Sequence, residues 1–359
     1  MIFNRGNKII KRDLKYKGAV LENVKQIKYL GFSISAKNCS FSPTIDDLSL
    51  KANRAVFALN NKYKISKLPK KLAIKIFNSL ITPILLYGSE VWGPFMDYNY
   101  LSWESSKIER VQTQFLKRLL GCNIHTSNIM VRGEVGIRSL LLNVIKRVVG
   151  YTNCIKQRPT STVYTAFRFE STNEINPNFC SFIGNHNLNC TTIYDKGKYE
   201  LTKTCQDNYD RFWLDQINNS PKATSYVTFK KNVCYEKYLD QIENDKHKVS
   251  LSRFRLSNHN LLIEKGRHMR PRLERNERKC FKCKVEIEDE YHFIIKCPLY
   301  IEERKLLFDC CKNGCKNFDL LTEEQKFIFM LTNEDASITK MLARFIFNSM
   351  KKRETTKLS

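Results

Sequence analysis

The stretch Ile137-Arg-Ser-Leu-Leu-Leu-Asn-Val-Ile-Lys-Arg-Val-Val-Gly-Tyr-Thr-Asn-Cys-Ile155 decides the fold class. Its apolar residues Ile137, Leu141, Val144, Val148, Tyr151 and Ile155 recur at intervals of four and three, which is one face of an α-helix. Upstream the same period returns. Ile108, Val111, Phe115 and Leu119 predict a helix from about Ser102 to Leu120, with Gly121 as its stop. Leu72, Ile76 and Leu80 predict one after Pro69 that Pro83 ends or kinks, because proline lacks the amide hydrogen. Ile45, Leu48, Ala52, Ala55 and Leu59 predict another, with Ser42 as cap and Pro43 in the first turn. Before these, Val20, Val24, Ile27, Tyr29, Leu30, Phe32 and Ile34, with Gly18 and Gly31, read as short strands in a hairpin. After them, the Thr-, Ser- and Asn-rich stretch from Pro159 reads as a linker. Helical patterns return near Tyr209–Ile217, Tyr235–Ile242 and Val249–Leu262, behind a capping box at Thr322 and Gln325, and over Ile338–Ile346. The expected fold is mainly α. Its segments are 1–40 with the hairpin, 41–158 as a helical domain, 159–245 as a connection, 246–300 as a basic arm with a metal knuckle, and 301–359 as C-terminal helices.

Lys and Arg number 61 against 36 Asp and Glu, a net charge of +25. The excess is clustered: Arg5, Lys8, Lys11, Arg12, Lys15 and Lys17 in one run, and Lys265, Arg267, Arg270, Arg272, Arg275, Arg278 and Lys279 in another. Such runs are the electrostatic footprint of a polyanion binder, so RNA or DNA is the expected partner. No run of about 18 apolar residues marks a membrane span, and the N-terminus lacks the apolar core of a signal peptide. Thirteen cysteines, an odd number without a repeating spacing, argue for a reducing compartment, the nucleus or cytoplasm.

The sharpest local motif is Cys280-x2-Cys283-x8-His292-x4-Cys297. Two cysteines two residues apart share one turn, and a His and a Cys four apart close a tetrahedron from the other side. That donor set suits a structural Zn²⁺ with no open position. The segment between the ligands is poor in apolar residues, so it is expected to fold only with metal. Glu286, Glu288, Asp289 and Glu290 within the motif are expected to repel phosphate, which leaves nucleic-acid contact to the arm. Cys310, Cys311 and Cys315 lack a nearby His and read as free thiols. No phosphate-binding Gly-rich loop or nucleophile elbow occurs. Asp46 and Asp47, the one adjacent Asp pair, sit where acids complement a helix dipole. No catalytic residue is therefore assigned, and Mg²⁺ is not expected.

Taken together, Ile27-Lys-Tyr-Leu-Gly-Phe32, Lys51-Ala-Asn-Arg-Ala55, Pro83-Ile-Leu-Leu-Tyr-Gly-Ser-Glu-Val-Trp92, Glu109-Arg-Val-Gln-Thr-Gln-Phe-Leu-Lys-Arg118, Val131-Arg-Gly-Glu-Val-Gly136, Phe254-Arg-Leu-Ser-Asn-His259, Glu264-Lys-Gly-Arg267 and the Cys-Cys-His-Cys motif with Glu288-Asp-Glu-Tyr-His-Phe293 resemble the C-terminal part of non-LTR (LINE-type) retrotransposon reverse transcriptases. The match runs in family order over most of residues 1–300. It implies that 1–40 is a palm remnant carrying the primer-grip hairpin, and that 41–158 is the thumb. It implies that Lys28, Tyr29, Leu30 and Gly31 help hold a primer end, that Lys107, Arg110, Gln114 and Lys117 face a template–primer duplex, and that Arg267, Arg270, Arg272 and Arg275 with the knuckle bind RNA or target DNA. The family synthesises DNA on an RNA template. Its catalytic aspartates would lie upstream of Met1, and neither of its endonuclease types is present, so the chain resembles a truncated, non-enzymatic, nucleic-acid-binding fragment. Two alternatives are an in-trans subunit that completes an active enzyme with a full-length element protein, and a zinc-dependent protein-interaction module or relic.

Overall fold

A computed structural model of the protein describes residues 12–37, 40–96, 99–172, 183–184, 188 and 197–357. Arg5, Lys8 and Lys11 of the first basic run, and 173–182 of the expected connection, lie outside the described residues. Among the described residues the chain is mainly helical with four short strands. It forms two compact units, Met1–Gln112 with Arg138–Tyr209, and Thr113–Ile137 with Asp210–Ser359. The units interleave along the chain, which differs from the consecutive segments expected.

In the first unit, Lys15–Tyr16 pairs with Ala19–Val20 and Gln26–Tyr29 pairs with Phe32–Ser35, both antiparallel. Each pair is closed by two residues of positive φ, Lys17-Gly18 and Leu30-Gly31. That is the turn whose twist matches the strands it joins. The Ser42–Tyr63 helix buries Ile45, Leu48, Ala52 and Val56. Phe41 takes the cap position expected for Ser42, which is the first helical residue and makes no capping bond. Lys70–Ile76 runs through a π turn, Phe77–Ile81, into Thr82–Leu85. The expected stripe is displaced there: Leu72 and Leu80 are exposed, while Ala73, Ile74, Phe77, Ile81 and Leu85 are buried. A strict four-residue repeat drifts around a helix of 3.6 residues per turn, and the wider π turn rotates the inward face again. The Leu141–Lys156 helix buries Leu141, Val144 and Val148 as the periodicity requires, and also Leu142, Ile145 and Val149. Tyr151 is exposed and Thr152 is buried in its place.

The Lys107–Leu120 helix has Ile108, Val111, Phe115 and Leu119 buried, as predicted. Glu109, on the same helix and fully buried, accepts the Trp103 indole N–H and the Leu140 amide at 3.2 Å. Here a charged residue closes the start of the Leu141–Lys156 helix instead of facing solvent.

The second unit contains Asp245–Arg255, Ile301–Gly314, Glu323–Thr332 and Ala336–Lys357. The capping box forms as read: the Gln325 amide donates to Thr322 Oγ1 at 3.2 Å, and the Thr322 amide donates to Gln325 Oε1 at 2.9 Å. The stretch expected as a loose connection is packed from Lys198 onward, because the Lys198–Asn218 helix places Trp213 and Ile217 in the second unit's core. Arg255 holds this unit together. Its guanidinium pairs with buried Glu134, with Glu236 at 3.0 Å, and donates to the Leu331 carbonyl. Among the described residues no single helix is long and apolar enough to cross a membrane.

Candidate functional site

Cys280 lies at the mouth of a small hairpin, where its amide donates to the Glu286 carbonyl at 2.8 Å and the Glu288 amide donates to the Arg278 carbonyl at 2.8 Å. The chain turns at once. Lys284, with φ of +59°, donates its amide to the Cys280 carbonyl at 2.8 Å, so Cys280 and Cys283 face the same space. His292 begins a π turn, His292–Lys296, whose end is fixed by the Cys297 amide on the His292 carbonyl at 2.8 Å. The ligand atoms of Cys280, Cys283 and His292 all lie within 4.8 Å of one another, so these three residues could hold a metal ion. Cys297 joins them through Cys280, with 3.8 Å between the two sulfurs, and Cys283 Sγ is 3.6 Å from His292 Nε2. The fold thus brings Cys280, Cys283 and His292 to one place, with Cys297 beside Cys280.

Glu286 adds contacts to the cluster that spacing did not point to. Its carboxylate meets His292 Nδ1 at 2.8 Å and Lys296 Nζ at 3.2 Å. A carboxylate on one ring nitrogen fixes the imidazole so that the other faces the metal position. Burial opposes a charge on His292, but Cys280 and Glu286 outweigh it and hold the imidazole near 9. Cys297 is held below its ordinary thiol range by the hydrogen bond from Cys280.

Two of the motif's four acids, Glu288 and Glu290, are turned inward and paired. Glu288, 2% exposed, receives Arg353 Nε and Nη2 at 2.6 Å each. Glu290 accepts from Ser225 at 2.8 Å and Ser257 at 2.9 Å and meets His259 Nε2 at 2.8 Å. Burial alone would raise the Glu290 carboxyl; His259 and these hydrogen bonds bring it down to about 2. The segment also places apolar residues of its own in the core. Phe293, Ile294 and Ile295 are buried, and the Phe293 ring packs on Phe254, Tyr300 and Phe345.

The basic arm divides into two groups. Arg267 bonds Glu264 at 2.9 Å and the Pro221 carbonyl at 2.7 Å, and buried Arg278 bonds the Ile263 and Leu273 carbonyls. Both hold the arm's own shape, which corrects the assignment of Arg267 to nucleic acid. Arg270, Arg272, Arg275 and Lys279 are exposed. Of the residues expected along the Lys107–Leu120 helix, Lys107, Arg110 and Gln114 are exposed, and Lys107 pairs with Asp46 at 2.6 Å. Lys117 is corrected. It is 8% exposed and donates to the Ile124 carbonyl at 2.7 Å, because its stem lies on the apolar face; exposed Arg118 follows it.

At the other end of the chain, Lys28, Tyr29, Leu30 and Gly31 form the hairpin tip. Tyr29 is 64% and Leu30 71% exposed, so neither is a core residue. The tip sits on Tyr87, whose hydroxyl donates to the Leu30 carbonyl at 3.0 Å. A Cβ on Gly31 would stand 2.9 Å from that ring. Asp46 and Asp47 are taken up by Lys107 and by Lys51 at 2.7 Å. Among the described residues Cys311 is a buried thiol, pushed by its burial to about 12. No protein-family model matches this chain, and no curated protein or solved structure matches it, so its function rests on the chemistry of these side chains.

Proposed function

We propose that this chain is a non-enzymatic nucleic-acid-binding protein related to the C-terminal part of non-LTR retrotransposon reverse transcriptases, with a structural zinc knuckle beside a cationic arm. The observation that carries the reading is the pairing of the two features. Arg270, Arg272 and Lys279 are exposed and have no ion pair among the described residues, and they lead directly into the four-ligand cluster. Zinc is the ion that the donor set fits. Tetrahedral bonds of about 2.3 Å to sulfur and about 2.0 Å to nitrogen put two sulfurs about 3.8 Å apart and a sulfur and a nitrogen about 3.5 Å apart. The observed separations are 3.8 and 3.6 Å. When bound, the ion would cross-link the Cys280–Cys283 turn to the start and end of the His292–Lys296 turn.

Three pairs of family-like motifs that are distant in sequence touch in the fold, which supports the resemblance. Tyr87-Gly88 carries the Tyr29-Leu-Gly31 tip, Glu134 pairs with Arg255, and His259 pairs with Glu290. Leu30, a large residue held at positive φ and left in solvent, is the kind of strained and exposed side chain found at binding positions.

The test is binding of the zinc-loaded protein to an RNA–DNA hybrid across a salt series. Affinity should fall steeply with salt, and Arg270→Glu or Arg272→Glu should each lower the logarithmic slope by about 1 without sequence preference. A flat salt response in a folded sample would overturn the reading. Metal content of less than one zinc per four intact ligands would overturn its zinc part.

A further inference from the structure

The second unit holds a cavity of about 680 Å³ that none of the groups above requires. Thr126 and Ser127 line it at the start of the Asn128–Val135 helix. The Ser127 side chain makes no capping bond, so this helix start keeps its partial positive charge without a side-chain acceptor. Thr126 is 6% exposed, and its Oγ1 is a buried hydroxyl with no hydrogen-bond partner among the described residues. Buried hydroxyls are normally paired, so this one marks a place for an acceptor that the chain itself does not supply.

The rest of the wall says which acceptor. Lys222, Lys265 and His268 line the same cavity. Its one acid, Glu264, is already met by Arg267 at 2.9 Å. A hydroxyl donor, a helix start and two ammonium groups around one space are the elements of phosphate recognition. The volume lies in the range of about 300–1,000 Å³ typical for one small ligand. It is too small for a duplex and sufficient for one nucleotide. Met269, another lining residue, is followed in the chain by exposed Arg270 and Arg272. The cavity wall therefore runs into the cationic arm.

We propose that this cavity seats one nucleotide of a single-stranded nucleic acid, with its phosphate held by Thr126, the start of the Asn128–Val135 helix, Lys222 and Lys265, while the arm follows the neighbouring phosphates. The proposal rests on the nucleic-acid-binding reading above and adds a defined phosphate seat to it.

The experiment uses the full chain with a labelled single-stranded oligoadenylate, an RNA–DNA hybrid and adenosine monophosphate as separate probes. Thr126→Val keeps the side-chain shape, and Lys222→Gln tests the seat from its other side. Each should weaken the single strand by about tenfold, the loss of one charge-assisted hydrogen bond, and leave the hybrid's affinity unchanged. Adenosine monophosphate should compete with the strand on the unaltered protein. Single-strand binding as tight in both variants as in the unaltered protein would overturn the seat, while retained hybrid binding left the broader reading standing. Variant-sensitive binding of the mononucleotide with no binding of any polynucleotide would overturn the strand and the broader reading together, and would assign the cavity to free nucleotides.

Discussion

The Cys280–Cys297 segment and the N-terminal hairpins are both short, irregular pieces of chain, yet they are held in opposite ways. The strands Lys15–Tyr16, Ala19–Val20 and Gln26–Tyr29 are exposed along their whole length, with Tyr16, Val20 and Tyr29 more than half in solvent. The second hairpin is fastened at points: its tip on Tyr87, and Ser33, whose amide donates to Thr44 Oγ1 at 2.8 Å. The Cys280–Cys297 segment instead sinks Phe293, Ile294 and Ile295 into a core and anchors Glu288 on Arg353 of the C-terminal helix. A small element is as firm as the surface it docks on. An isolated two-stranded hairpin is marginal in water, whereas a segment with a buried bidentate ion pair loses several kcal/mol if one partner goes.

The largest expected effect tests that anchor. Arg353→Ala leaves the Glu288 carboxylate buried and unpaired, and should cost about 3–5 kcal/mol. A denaturant titration would register this, and zinc affinity should fall with it because the Arg278 carbonyl pairs with the Glu288 amide beside Cys280. A loss below about 1 kcal/mol would mean that the ion pair is solvated and that the two regions are held alike.

A smaller effect is expected at the hairpin. Gly88 has φ of +64°, and a Cβ there would stand 2.2 Å from the Phe32 ring. Gly88→Ala adds backbone strain of about 1–3 kcal/mol and displaces the hairpin's own Phe32 ring. Amide exchange should show protection lost over 26–35 while the Leu141–Lys156 helix keeps its own. Equal loss in both would mean that the hairpin is part of the core.

The smallest effect concerns chemistry without stability. Burial raises the folded Cys311 thiol to about 12 and Cys205 to about 11, so both are protonated at pH 8. Cys154 and Cys234 are exposed. At pH 8 an alkylating reagent should label Cys154 and Cys234 within minutes and spare Cys311 until the chain unfolds, because the thiolate is the nucleophile. Raising the pH toward the folded value should increase Cys311 labelling; a rate independent of pH would point to opening, not ionisation, as the limiting step. The unfolded thiol has the lower pKa, so ionisation of Cys311 favours unfolding as pH rises above about 8.5.

Much of this molecule is legible in one dimension. The helical periods of 107–120 and 141–156, the capping box at Thr322, the hairpin turn at Leu30-Gly31 and the gathering of Cys280, Cys283 and His292 all follow from local rules, because spacing along the chain sets which side chains share a face or a turn. The resemblance to reverse transcriptases likewise comes from motifs read in order. The destinations of charged residues do not. Lys117, Arg267, Glu109 and Glu288 look like surface charges, yet each is buried or spent on a carbonyl, an amide or an opposite charge. Likewise Leu72 and Leu80 face solvent on a helix interrupted by a π turn that no single residue announces. A sequence states which groups are charged and how they repeat. Whether a charge meets water or a partner depends on residues 7 to 65 positions away in these cases, and only the tertiary structure brings those within the roughly 3 Å over which a hydrogen bond acts.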